Sequence, residues 1–312
     1  MPTLPEAKEQ SAAVALVDLI SGCVITQSIY VAAKLGIADV LADAPLTAEE
    51  IAKRVGADRE AIYRLLRTLS SYSVFAELTG GRFELTPIGD ALRANSPHSM
   101  RNLAILMGHP QSWLDWSYLL SSVCTGQSSR PHLNNKGGHD FLMANTEYAV
   151  MAGQGMACLS AQETDPVLAA YDFSRFGTIV DVGGGRGGLL AGILRQASNA
   201  NGILFDEPFA TAGADAALQA AGVADRCTIQ TGSFFDSVPA GADAYVLKHI
   251  LHDFTEPGSL AILANIREAI APDGTVLVIE YALPGNNERH VGNIIDLWLL
   301  LLLGAKERTL PE

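Results

Sequence analysis

A run of glycines between carboxylates is the most chemically informative stretch of this 312-residue chain. Thr178 to Val182 is a short apolar, β-branched run that reads as a strand. It leads into Gly183-Gly184-Gly185-Arg186-Gly187-Gly188 and then a helical Ala/Leu pattern. Gly183, Gly185 and Gly188 satisfy G-x-G-x-x-G, whose glycines let the backbone turn tightly and approach a ligand at a helix N-terminus. Dinucleotide-binding proteins use the same device, so the loop alone leaves a nicotinamide oxidoreductase open. Two carboxylates shift the reading. Asp181 stands at the strand end before the glycines, where a pyrophosphate is repelled and an ammonium or sulfonium attracted. Asp206 ends the next apolar run, about 20 residues past the loop, placed to accept from both ribose hydroxyls. Together they point to S-adenosylmethionine, which carries no phosphate.

A second set of residues could move a proton. His252 lies just beyond the apolar run Ala244 to Leu247, at the carboxyl end of a strand, where doubly wound folds place ligands. A phenol ionises near pH 10, whereas an ordinary histidine, with a pKa near 6.5, is mostly neutral at pH 7 and can accept its proton. Glu280 ends the neighbouring run Val276 to Ile279 and can reach the same rim. A carboxylate bonded to one ring nitrogen fixes the tautomer and stabilises the imidazolium. Glu307 comes from the segment after the apolar helical run Ile294 to Ala305. Each has a plainer reading. His249 and His252 can be polar rim residues, with His249 taken as structural, Glu280 an exposed strand end and Glu307 a surface charge beside Lys306 and Arg308. Asp296, inside an apolar helix, needs a polar partner if buried, and helix packing competes with pocket lining for it. No cluster has metal-ligand spacing, and none is expected.

These groups need a scaffold. From Phe176 onward, short β-branched runs alternate with helical patterns, the sequence form of a doubly wound parallel sheet. The N-terminal third differs. Ala12 to Ala44 reads as two helices apolar on more than one face, as at a subunit interface. Thr47 and Glu50 form a capping box. Ile62, Leu65, Leu66 and Leu69 trace a helix face, and Gly80-Gly81 turns a hairpin. Thr86-Pro87 starts another helix. Helix, helix, hairpin is a winged helix-turn-helix. The expected organisation is a mainly α winged-helix domain over 1–100, a helical linker and substrate-pocket region over 101–170, and a Rossmann-like catalytic domain over 171–312. An apolar wall of Met107, Trp113, Trp116, Phe141, Met143, Met151, Met156 and Trp298 suits a flat ring system, or equally an ordinary core.

With these motifs in order, the chain resembles the small-molecule O-methyltransferases of the plant caffeate and flavonoid type and of the bacterial antibiotic-tailoring type. The resemblance runs through AAYDFS, IVDVGGG, ILFDEP, TGSFF, LKHILHD, VIEYALP and GAKERT. It implies S-adenosylmethionine as cofactor, S-adenosylhomocysteine as product, and a homodimer interlocked through the N-terminal region. It also implies His252 as general base, with Glu280 and Glu307 orienting it. Asp181, Gly183, Gly184, Gly185, Asp206, Glu207, Ser233, Phe234 and Lys248 would hold the cofactor. Trp113, Met143, Met156 and Asp296 would face a small aromatic hydroxylated acceptor of secondary-metabolite type. Three departures stand out: Ser233 replaces the usual acid, Phe254 a frequent tryptophan, and the family's usual last helix and strand pair would follow Glu312, so an exposed sheet edge is expected.

Composition sets the competitors. The net charge is −13, which disfavours nucleic acid and anionic membranes. A DNA-binding winged helix could use Arg59, Arg64 and Arg67. Yet residues 1–95 carry nine Lys/Arg against twelve Asp/Glu, a net of −3, the wrong sign for that role. A relative that keeps the cofactor but hydroxylates or decarboxylates is a further alternative, against which His252 argues. Four scattered cysteines and a polar N-terminus lacking a signal-peptide pattern give a cytoplasmic expectation. The longest apolar run, Ile294 to Ala305, is too short to span a bilayer.

Overall fold

A computed structural model describes residues 11–129, 131, 141–142, 144–285 and 288–312. Met143, one of the expected acceptor-side residues, lies outside them. The chain forms two compact units, Met1–Pro110 and Gln111–Glu312.

In the first unit, α1 (Ala12–Ile20) and α2 (Gly22–Leu35) are followed by the short α3 (Ile37–Val40). Thr47 caps α4 (Ala48–Val55) through the expected box: its hydroxyl accepts from Glu50 N, and Glu50 Oε2 accepts from Thr47 N at 2.8 Å. Next comes α5 (Arg59–Ser71), which buries Ile62, Leu66 and Leu69. The hairpin of β2 (Phe75–Leu78) and β3 (Arg82–Leu85) turns on Gly80 and Gly81, both in the left-handed region that glycine tolerates. With β1 (Leu46–Thr47) the order is β1-β3-β2, antiparallel. The unit ends in α6 (Pro87–Asp90) and α7 (Arg101–Gly108). An apolar cleft of about 320 Å³ opens between α2 and α7, lined by Ile29, Leu103 and Met107 among others. Met107 therefore lines this unit's cleft. Apolar composition alone does not say which core a methionine joins.

The second unit begins with α8 (Pro110–Trp116), α9 (Leu119–Thr125) and the long α10 (Thr146–Ala170). Five parallel strands follow: β4 (Thr178–Val182), β5 (Asn201–Asp206), β6 (Cys227–Thr231), β7 (Ala244–Lys248) and β8 (Thr275–Ile279). Their order, β6-β5-β4-β7-β8, is the doubly wound Rossmann-like sheet expected from the alternation. It reverses between β4 and β7, the switch point where such sheets leave a crevice at the strand carboxyl ends. The register Val182↔Leu247 brings the glycine loop and the segment after β7 to the same rim.

Helix α11 (Gly188–Gln196) packs Leu190, Ile193 and Leu194 against one sheet face, where α12 (Ala214–Ala220) adds Ala214 and Leu218. The three α11 side chains are fully buried, worth roughly 1.5–3 kcal/mol apiece. On the other face α13 (Glu256–Ala269) meets Val180, Val182, Tyr245 and Leu247 through Ile262 and Ile266. By strand alternation Asp181 shares the Ile179 side, in the layer that α11 packs. β8 is an edge strand of the described sheet, with Val276 and Val278 exposed. Helix α14 (Val291–Leu303) stops at Gly304 in the left-handed region, and the chain returns along the β8 side through an Ala282↔Arg308 bridge. That return delivers Glu307.

On α1 and α2 the side chains of Val14, Leu16, Val17, Leu19, Ile20 and Val24 are exposed. The stretch Ala12–Leu35, mean hydropathy 1.8, is also long and apolar enough to cross a membrane by length and composition. It surpasses the 294–305 run because Asp18, Thr26 and Gln27 interrupt it without lowering its average much. A contiguous apolar face of this kind calls for cover, and a second copy supplies it in the homodimer expected above. Light scattering on a gel-filtered sample should give a dimer mass, and Leu19→Glu/Ile20→Glu a monomer. A monomeric parent that floats with lipid vesicles would contradict this.

Candidate active site

Asp181 is the next-to-last residue of β4, and Val182, paired with Phe205 and Leu247, closes the strand. The Asp181 side chain is buried and leaves Oδ2 without a hydrogen-bond partner. Burial, together with the Asp206 charge, pushes the carboxyl up to about 7 against the pull of Lys248. A Cβ on Gly184 would come within 2.5 Å of Asp181 Oδ2 and 2.6 Å of Leu204 Cδ1, so only glycine fits there. At Gly183, φ is +71° and a Cβ would meet Ile250 Cδ1 at 2.3 Å. Asp206 Oδ2 accepts from Gly185 N at 2.8 Å, and its Oδ1 from Glu207 N at 2.7 Å. The loop is thus held open by a carboxylate at the end of the next strand. Ser233 Oγ accepts from Phe235 N at 3.3 Å, and buried Phe234 meets Phe254 edge-on at 5.6 Å.

The strand β7 ends in Lys248, and the chain then turns through His249 at φ +56°, a left-handed conformation uncommon for a side-chain-bearing residue. His249 N donates to Ile279 O at 3.0 Å, which anchors the turn to β8. A single 3-10 turn, Leu251–Asp253, presents His252. Glu280 Oε1 accepts from Leu251 N at 2.9 Å and from His252 N at 3.3 Å, so it caps that turn.

His252 is 6% exposed. Its Nδ1 lies 2.8 Å from Glu307 Oε1 and 3.5 Å from Glu280 Oε2, while Nε2 is 3.4 Å from Asp253 Oδ1. Burial lowers the imidazole pKa, but the hydrogen bond to Glu307, aided by the charges of Asp253 and Glu280, outweighs it and leaves it raised. Glu307 is 1% exposed, and its own N donates to Asp296 Oδ1 at 2.8 Å. Asp296 thus finds its polar partner in the backbone of the return segment.

The donor atoms of His252, Glu280 and Glu307 lie within 4.8 Å of one another, a grouping that a metal ion could use. A tetrahedral ion with bonds of about 2.0–2.2 Å holds its ligand atoms about 3.4 Å apart. At 2.8 Å the Nδ1–Oε1 contact has the length of a charge-assisted hydrogen bond.

Sequence reasoning missed a second layer. Glu163, on α10, takes hydrogen bonds from Lys248 Nζ, His249 Nε2 (2.9 Å) and the Tyr281 hydroxyl. Lys248 Nζ also donates to Ser160 Oγ at 2.9 Å. His249, read as structural, stacks on His252 (centroids 5.1 Å) and on Tyr281 (4.8 Å). Nothing in the local sequence QETDP marks Glu163 as other than a helix-surface charge. Of the acceptor-side residues, Trp113 on α8 is half-buried and its indole N–H has no partner among the described residues; Met156 on α10 is 41% exposed. No described hydrogen bond or ring contact joins either to His252.

Comparison with known proteins identifies the arrangement. An O-methyltransferase domain matches residues 116–312, and an O-methyltransferase dimerisation domain matches residues 17–95. The chain is similar to a phenazine O-methyltransferase of Lysobacter antibioticus, 42% identical over 297 residues, covering 95% of this chain and 87% of that protein. An 8-amino-8-demethylriboflavin N,N-dimethyltransferase of Streptomyces davaonensis is 32% identical, covering 99% and 89%. An O-methyltransferase from neocarzinostatin biosynthesis, solved with S-adenosylhomocysteine and 1,4-dihydroxy-2-naphthoic acid, superposes with a TM-score of 0.77. It is 32% identical, covering 98% of this chain and 91% of that one.

Two outcomes follow from the geometry. NMR titration of the ligand-free protein should place the His252 imidazole above 6.5, and Glu307→Gln, which removes the largest upward influence, should bring it down. Gly184→Ala should abolish S-adenosylhomocysteine binding in calorimetry, because the added methyl displaces Asp181; retained affinity would show the corner to be slack.

Proposed function

Since the chain belongs to the O-methyltransferase family and is a methyltransferase that uses S-adenosylmethionine, we propose that it methylates a hydroxyl of a small aromatic molecule, with His252 as general base. The observation that carries this reading is the buried pair of His252 Nδ1 and Glu307 Oε1 at 2.8 Å. With Nδ1–H given to Glu307, Nε2 is left as the proton acceptor. The gap between a phenol and an ordinary histidine is about 3.5 pKa units, roughly 5 kcal/mol. Raising the imidazole pKa narrows it, so the proton moves as the oxygen attacks.

The bound cofactor supplies an electrophilic methyl group on a sulfonium. The corner fits that group: Asp181 offers a buried carboxylate oxygen with no partner, and the glycines admit close approach. In this reading Asp181 faces the cationic part and Gly183, Gly184 and Gly185 the chain around it. Asp206 and Glu207 accept from the ribose, Ser233 and Phe234 border the adenine, and Lys248 orients the amino-acid end. Trp113, Met156 and Asp296 are carried as acceptor-side residues. Much of the acceleration comes from holding the acceptor oxygen in line with the methyl carbon.

Relatives include N-methyltransferases by name, and the base sets apart only a nitrogen acceptor that carries no hydrogen. A hydroxyl or an amine must lose a proton on methylation, whereas a ring nitrogen without hydrogen need not, so a buried and anchored base favours the proton-bearing nucleophile. The phenazine and naphthoic acid compounds named for the relatives support a flat aromatic acceptor.

The test is mass spectrometry of a reaction with labelled cofactor and a panel of phenols. An O-methyl ether is expected, with His252→Ala lowering kcat about 10²–10⁴-fold. Full turnover by His252→Ala, or label on a ring nitrogen, would refute the assignment.

A further inference from the structure

The carboxylate of Glu163 joins two parts of the site. Its Oε2 accepts from Lys248 Nζ and from His249 Nε2, and its Oε1 from the Tyr281 hydroxyl. Lys248 is the last residue of β7, with its side chain 6% exposed, and its charge acts on Asp181 in the glycine corner. His249 stacks on His252 at 5.1 Å with the planes 22° apart. Glu163 comes from α10, 85 residues before Lys248 in sequence, so it ties that helix to the rim of the sheet.

Resting on the reading above, we propose that Glu163 is a positioning residue for both halves of the transfer site. Through Lys248 it sets the cation that faces the cofactor corner. Through His249, whose Nε2–H it accepts, it fixes the ring that backs the His252 base.

The physical case has three parts. First, a buried ammonium needs a counter-charge, and a second carboxylate that already feels the Lys248 charge is Asp181. Without Glu163, Lys248 would turn toward Asp181 and neutralise the carboxylate that the cofactor's cationic part requires. Second, the His249 backbone is in an unfavourable left-handed conformation, φ +56°, which persists only where neighbouring contacts over-determine it. The Glu163 bond and the stack between His252 and Tyr281 are such contacts. Third, three donors hold the Glu163 carboxyl down at about 2 although burial alone would push it up, so it carries its charge throughout the neutral range.

The test uses the full chain and three variants checked for native fold by circular dichroism. Glu163→Gln keeps the size and removes the charge. It should weaken S-adenosylhomocysteine by about fivefold or more in calorimetry and lower kcat about tenfold, with little change in KM for a phenol the parent methylates. His249→Phe keeps the stack and leaves the Lys248–Glu163 pair. It should bind S-adenosylhomocysteine as the parent does and lose less kcat than Glu163→Gln. Tyr281→Phe removes one donor only and should bind as the parent does. Parent-like affinity or parent-like kcat in Glu163→Gln, each within about twofold, overturns the proposal. So does an equal loss of affinity in Tyr281→Phe, which would show general damage to the rim. The binding arm needs no acceptor, so a failure to find any methylated phenol counts against the O-methyl reading and leaves the Glu163–Lys248 link to be decided by affinity.

Discussion

One contact, between a carboxylate 1% exposed and an imidazole 6% exposed, governs the rest of this site. Burial alone would make His252 a weaker base. Glu307 reverses that, and it can do so only because the fold excludes water from both partners. A hydrogen bond to a charged group contributes roughly 1.5–3 kcal/mol where an unsatisfied buried charge would cost more. Each neighbouring feature serves to keep this pair in register. Asp296 holds the Glu307 backbone, Glu280 caps the turn that carries His252, and the Ala282↔Arg308 bridge brings the return segment to the rim.

The cofactor corner uses burial differently, although Glu307 Oε2, like Asp181 Oδ2, is buried without a hydrogen-bond partner. There a carboxylate is buried without a full set of partners, and burial together with Asp206 raises Asp181 to about 7. Such a group is costly alone and becomes favourable when a cation arrives. The glycines are what make the arrangement possible, since any Cβ at position 184 would occupy the space over Asp181. Lys248 stands between the two regions and Glu163 determines which way its charge is shared, so the corner and the base respond to the same helix.

The local parts of this design were legible in the sequence, and the long-range parts were not. The strand-glycine-helix signal, Asp206 at a strand end and the Thr47 capping box depend on neighbours a few residues apart. Strand β4 has the bounds its β-branched run gives, Thr178–Val182, with Asp181 next to last. The sheet was readable from alternation, whereas its switch point needed the strand order. The contact of His252 with Glu307 spans 55 residues, a separation that spacing cannot reveal; the family resemblance, not periodicity, pointed to it. Glu163 was invisible, since a glutamate on a helix between polar residues looks solvated until the sheet rim is folded against it. Met107 fits an aromatic pocket by composition, yet it lines a cleft in the N-terminal unit.

The general-base role of His252 turns on which of its nitrogens carries the proton when the ring is neutral. Nitrogen-15 NMR of the ligand-free protein, labelled at histidine and recorded above the imidazole pKa, reads this directly. Protonated Nδ1 and bare Nε2 are the expected signals, with Glu307→Gln loosening that preference. A ring protonated at Nε2, with Nδ1 bare or bound to a metal, would contradict the central claim.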